Sequence, residues 1–121
     1  MITISVRRKG NTLSYIPQYL VASLPADACI ISIINEHARR PVFKTDQTVL
    51  QLTDYGMGMT CGDLRLSGEF LAFNRGKNIY VHCYMGQQRS KGIAEALLLR
   101  NPTYHLMRHS ADCSLATIIK H

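Results

Sequence analysis

Residues 78–102 read NIYVHCYMGQQRSKGIAEALLLRNP, and three kinds of local order follow one another within them. Asn78 to His82 (NIYVH) is a short apolar run dominated by Ile79, Tyr80 and Val81, the signature of a buried strand. From Arg89 to Arg100, Ile93, Ala94, Leu97 and Leu98 form one apolar stripe at helical spacing, and Asn101-Pro102 ends it. Between strand and helix lies a short loop holding Cys83, Gly86 and Arg89. Strand, loop and helix in this order are the building unit of a layered α/β domain.

The flanking sequence extends the pattern. Cys29 to Ile34 (CIISII) and Val49 to Leu52 (VLQL) are short and apolar, and Ile2 to Arg7 (ITISVR) alternates with Ile2, Ile4 and Val6 on one face. Leu13 to Leu24 is apolar and of helix length, with Pro17 compatible only with a first turn. Asp63 to Asn74 carries Leu64, Phe70, Leu71 and Phe73, and Arg75-Gly76 supplies a stop. The tail from Ser110 opens on a helix-capping residue type and has Leu115, Ile118 and Ile119 to bury. Strands alternating with helices predict an α/β fold with a mostly parallel central sheet of about four to five strands flanked by helices. Residues 1–121 are expected to form a single compact domain. Ligands of such sheets bind outside the carboxyl ends of the strands, which is where Cys83 falls.

Composition narrows the chemistry. The 121 residues are 46% hydrophobic and 18% charged, ordinary values for a globular chain long enough to bury a core. A formal charge of +6 favours anionic partners in general. Small basic groups stand at Arg7-Arg8-Lys9 and Arg39-Arg40, but no basic patch with interleaved aromatics occurs, which argues against nucleic acid. Cys29, Cys61, Cys83 and Cys113 form no CxxC pair and match no zinc spacing, so neither metal nor cofactor is expected. The start, MITISVRRKG, lacks a signal-peptide core and no run is long enough to span a bilayer, so a cytoplasmic setting with free thiols and no membrane partner is expected.

The loop Cys83-Tyr84-Met85-Gly86-Gln87-Gln88-Arg89-Ser90 has a specific chemical sense. Gly86 lets the chain turn without a Cβ clash. The helix beginning near Arg89 points its unpaired N–H groups and positive dipole end at the same place. Tyr84 to Arg89 thereby make a cradle for a phosphate-sized dianion, and Arg89 can bind two anionic oxygens at once. A thiol at Cys83 in that setting has its pKa lowered and becomes a nucleophilic thiolate. His, Gly, Arg and Ser/Thr at these offsets from a cysteine arise by chance on the order of once per 10⁵ cysteines.

HCYMGQQRS resembles the signature loop of the cysteine-dependent protein tyrosine phosphatases, and its form HCxxGxxRS looks most like the dual-specificity branch. CIISIINEHARRPVF and VLQLTD are similar to the same family's layout, so the resemblance runs in order over residues 29–100. It implies a tyrosine-phosphatase-like fold and metal-free hydrolysis of phosphate monoesters through a phosphocysteine. By resemblance the substrate class is phosphotyrosine first, with phosphoserine/threonine or an RNA 5′-phosphate behind it. The resemblance implies that Ser90 assists departure of the thiolate and that His82 orients or tunes the cysteine. The chain departs from the family in having no Trp-Pro-Asp-like tripeptide and no Lys inside the loop, and only residues 101–121 follow the helix.

Attack on phosphorus leaves an oxygen in need of a proton, so a carboxylic acid should stand near the loop. Asp54 ends VLQLTD, and in a parallel sheet it would project at the same edge as Cys83. Its distance of 29 residues from the cysteine also resembles the family spacing. Glu36, at the end of CIISII, is the runner-up, while Asp63 suits the first turn of a helix. Gln87 and Gln88 present their side chains outward. Two other readings compete with an enzyme acting on phosphorylated proteins or other phosphomonoesters: a non-catalytic module that recognises phosphorylated partners, and a rhodanese-type sulfurtransferase.

Overall fold

The computed structural model describes residues 12–101, 103–108 and 118–120. In chain order the elements are β1 (Thr12–Pro17), a 3₁₀ turn (Gln18–Ser23), β2 (Cys29–Asn35), β3 (Thr48–Asp54), α1 (Cys61–Phe73), β4 (Ile79–Cys83), α2 (Arg89–Arg100), β5 (His105–Arg108) and β6 (Ile118–Lys120). They form one sheet in the order β3-β2-β4-β1-β5-β6. Strands β1 to β5 run parallel, and β6 lies antiparallel against β5. The expected mostly parallel α/β architecture is therefore the one observed.

Alternation along the strands builds two cores, one on each face of the sheet. Leu13, Tyr15, Cys29, Ile31, Ile33, Ile79, Val81 and Cys83 point to one face and pack with Leu71 of α1 and Ile93, Ala94 and Leu97 of α2. Ile16, Ile30 and Tyr80 point to the other and meet Leu20, Val21 and Leu24 of the 3₁₀ segment and Phe43 of the β2–β3 connection. Each fully buried Leu or Ile here contributes roughly 1.5–3 kcal/mol relative to exposure. A strand buried on both faces draws mainly on apolar residues, and β4, buried throughout, departs from this only at His82.

The same logic corrects the reading of Leu13 to Leu24 as a helix. Thr12–Pro17 is a strand, buried at every position, inserted between β4 and β5. Filling both faces removes the period-2 signal, leaving a continuous apolar run that cannot be told from a buried helix by periodicity. Pro17, which has no N–H to continue a ladder, ends the strand and leads into the 3₁₀ turn. Asn78 fixes the other end of the β1–β4 pair, where Thr12 Oγ1 donates to its side-chain oxygen at 2.7 Å across 66 residues.

Helix α2 has the predicted bounds, and α1 begins two residues before Asp63. Thr60 and Asp63 close a reciprocal capping box on α1, the first-turn role expected of Asp63. Phe73, one of the apolar residues this helix carries, is 91% exposed at the last position of α1. Ile118–Lys120 is a strand rather than part of a tail helix, because β5 offers an open edge that a β-branched pair can extend. The predicted strand Ile2 to Arg7 and the rest of the tail from Ser110, with Leu115 and Cys113, lie outside the described residues. Among the described residues, no helix is long and apolar enough to cross a membrane.

Candidate functional site

The parallel register brings four strand ends to one edge. Pro17 pairs with Cys83 at the end of β1 and β4, and Asn35 pairs with Asp54 at the end of β2 and β3. The loop from Cys83 to Arg89 closes over this edge because position 86 is a glycine. Gly86 has φ +70°, and a Cβ there would stand 2.3 Å from the Pro17 nitrogen and 2.5 Å from the Ile16 carbonyl carbon. The loop thus packs against the β1 backbone as closely as a chain without a side chain allows. A second tie fixes its outer limb, where the Gln18 N–H donates to the Tyr84 carbonyl at 3.1 Å.

This closure turns donors onto the Cys83 sulfur. The Gly86 N–H donates to Sγ at 3.2 Å, and Ser90 Oγ lies 3.2 Å from it. Burial of the thiol pushes its pKa up, but the Ser90 hydroxyl and the backbone N–H groups of Ser90, Gly86 and Gln87 outweigh it, so the pKa falls below the ordinary thiol value. Gln88 is the N-cap of α2 and makes no side-chain capping bond, so no side chain of its own covers the first-turn N–H groups. The side chains of Tyr84, Met85, Gln87 and Gln88 are exposed and line the outside of the loop, as the sequence suggested for the glutamines.

Arg89 joins this loop to the ends of β2 and β3. Its Nη1 donates to Asn35 Oδ1 at 2.5 Å and to Asp54 Oδ2 at 3.3 Å. Asp54 is 9% exposed, and its other oxygen accepts from the N–H groups of Gly56 at 2.8 Å and Gly58 at 3.0 Å. The Gly56 amide does most to hold this carboxyl below the usual range; burial opposes it, and the Gly58 amide and Arg89 add to it. Asp54 is thus an ionised carboxylate on the only arginine of the loop. Glu36 lies outside this group: its side chain is exposed and approaches His37 at 3.6 Å, while its N–H donates to the Asp54 carbonyl.

His82 points to the opposite face from Cys83. It is fully buried, with Nε2 2.6 Å from Ser32 Oγ and its ring 6.5 Å from that of Phe43. Burial pushes its pKa down to about 4, against a smaller opposing effect of the Cys83 backbone, with the Arg89 charge adding to the fall. The imidazole is therefore neutral at neutral pH, a buried ring held by a serine beneath the loop. Asn35 and Ser32 were not singled out by sequence; each is a polar residue on an apolar strand, the one signal that marks them.

The other described cysteines stand apart. Cys29 pairs with Ile79, four positions before Cys83 on β4 and so about 13 Å away along the sheet. Its thiol donates to Asn74 Oδ1 at 3.6 Å, and burial raises its pKa. Cys61 is exposed at the first turn of α1. Among the described residues, no three His, Cys, Asp or Glu side chains group in a way that would hold a metal ion. No family model matches the chain, and no curated protein or solved structure was found to match it.

Proposed function

We propose that the protein is a phosphatase of the cysteine-dependent, dual-specificity-like kind, hydrolysing phosphate monoesters through a phosphocysteine. The observation that carries this reading is the convergence of Ser90 Oγ and the Gly86 N–H on the Cys83 sulfur, in a loop whose arginine meets Asp54. Such a loop offers both a nucleophile and a cradle for the charge spread over a transferring phosphoryl group.

In the proposed reaction the Cys83 thiolate attacks phosphorus in line while the bond to the leaving oxygen breaks. Loop N–H groups and Arg89 hold the three equatorial oxygens. Asp54 gives its proton to the leaving oxygen. Water then attacks the phosphocysteine and yields its proton to Asp54, the P–S bond breaks, and the Ser90 hydroxyl stabilises the departing thiolate. Asp54 must be protonated for the first step, although in the free protein it is held ionised. A bound phosphate dianion supplies the change by engaging Arg89 and adding a like charge beside the carboxylate, both of which raise its pKa. The free thiol this chemistry needs suits a reducing, cytoplasmic setting.

Cys83→Ser should lower turnover of an aryl phosphate by at least about 10⁴-fold with the thermal melt unchanged; activity that persists removes the nucleophile. Asp54→Asn should cost about 10²–10³-fold on phenyl phosphate and far less on a nitrophenyl ester. Equal losses on both esters would move the acid to another residue, with Glu36 next. A second reading, a phosphate-binding module without turnover, draws on the same Asp54, whose carboxyl is held ionised by the Gly56 and Gly58 amides with Arg89 adding to them. Tight vanadate binding with no hydrolysis of any aryl ester would favour it.

A further inference from the structure

Beside Arg89 the sheet edge opens into a cavity of about 130 Å³. Ile33, Ile34 and Ala38 give it apolar walls, and Tyr84 of the loop forms another side. Its volume is well below the ~300–1,000 Å³ of pockets that enclose a drug-sized ligand. It therefore suits one planar ring rather than a whole ligand. Its width is set by Gln18, whose N–H holds the Tyr84 carbonyl at 3.1 Å and whose Nε2 reaches the Arg39 carbonyl at 3.3 Å. One residue thereby ties the loop wall to the wall made by the β2–β3 connection.

Arg39 and Arg89 both line this small space, and they differ in their partners. Arg89 faces Asp54, whereas among the described residues no carboxylate lies within ion-pair range of Arg39. An uncompensated cation beside an apolar slot favours a ligand that brings its own negative charge.

We propose that this cavity is the subsite for the group that carries the phosphate, and that it selects a single ring with a second carboxylate within reach of Arg39. The proposal rests on a phosphate occupying the Cys83–Arg89 loop, the reading given above. The second charge has two possible sources, a substituent on the ring itself or an acidic residue next to a phosphotyrosine.

The test uses the full chain carrying Cys83→Ser, so that binding is read without turnover. Calorimetric titration compares 3- and 4-carboxyphenyl phosphate with their methyl esters, and phosphotyrosine peptides bearing a neighbouring Glu with those bearing Gln. The acid should bind about threefold to fivefold tighter than its neutral counterpart in at least one series, the range of a solvent-exposed ion pair. The series that shows the preference identifies the source of the charge. Adding Arg39→Gln should bring the ratio to about one. Adding Arg40→Gln, which removes the same charge from the next residue, should leave it in place.

Equal affinities for acid and neutral forms in both series would overturn the subsite. So would an equal loss of preference from Arg39→Gln and Arg40→Gln, since a diffuse basic field would then account for it. Turnover of phenyl phosphate by the unmodified chain tests the phosphatase reading separately. A charge preference without turnover keeps the subsite and removes the enzyme, and turnover without a preference does the reverse. Failure of every aryl phosphate to bind removes both.

Discussion

His82 and Cys83 are consecutive, fully or almost fully buried, and opposite in the balance struck against burial. Pleating sends them to different faces of the sheet. Cys83 faces the helical layer, where an N–H and a hydroxyl meet its sulfur at 3.2 Å. His82 faces the layer built from the 3₁₀ turn and the β2–β3 connection, where Ser32 and the ring of Phe43 lie beside it. Desolvation is the leading influence on both pKa values, yet it wins only at the histidine. Burial alone disfavours the charged form of an ionisable group, whereas burial with several converging donors can favour it. The helical face carries the candidate site because the loop brings donors there; the other face supports it.

The donors at Cys83 depend most on closure of the loop. Gly86→Ala places a Cβ against the β1 backbone at a positive φ. It should cost about 3 kcal/mol or more of stability, with the thiol reverting toward ordinary acidity. Thermal denaturation and the pH dependence of alkylation check this, and a melt like that of the unmodified protein would show that the contact is relieved cheaply.

The next effect belongs to the supporting face. The folded pKa of His82, about 4, lies below its ordinary 6.5, so the unfolded chain binds the extra proton first as pH falls. Stability should be complete above pH 6.5 and drop by about 3 kcal/mol on the way to pH 4. Urea unfolding across that range measures the slope, and His82→Gln should flatten it. Asp54 loses its contribution only below its ordinary 3.8, so the two windows do not overlap. On the helical face, Ser90→Ala removes one donor from the sulfur and should lower turnover about tenfold. The pH midpoint of Cys83 alkylation should rise with it. An unmoved midpoint would assign the thiolate to the backbone amides alone.

How far the sequence could be read depended on whether one local signal dominated. Arg89 to Arg100 has a helical stripe and a proline stop, and its bounds were legible to the residue. The turn between β4 and α2 was legible because Gly86 follows an apolar strand and precedes a helical stripe. Leu13 to Pro17 was misread because a strand covered on both faces carries no alternation, and only its place between β4 and β5 explains its composition. His105–Arg108 was missed for a related reason: four residues of mixed polarity become a strand only when β1 is there to receive them. Asn35 was invisible as part of the site, since its value lies in a register that sets it opposite Asp54. What propensity and pattern decide is visible in one dimension; what register decides is not.

The position of β1 has a kinetic consequence. This strand stands in the interior of the sheet, yet its partner β4 lies most of the chain away, as the Thr12–Asn78 bond across 66 residues records. β2 and β3 are joined by residues 36–47 alone and can pair early, but the slot for β1 does not exist until β4 and β5 have formed around it. Long loop closures of this kind are slow because chain entropy is lost before contacts compensate for it. The floor against which Gly86 closes is the end of β1, so the Cys83–Arg89 loop is among the last features to mature. A refolding chain should regain its helical signal well before it regains a reactive Cys83.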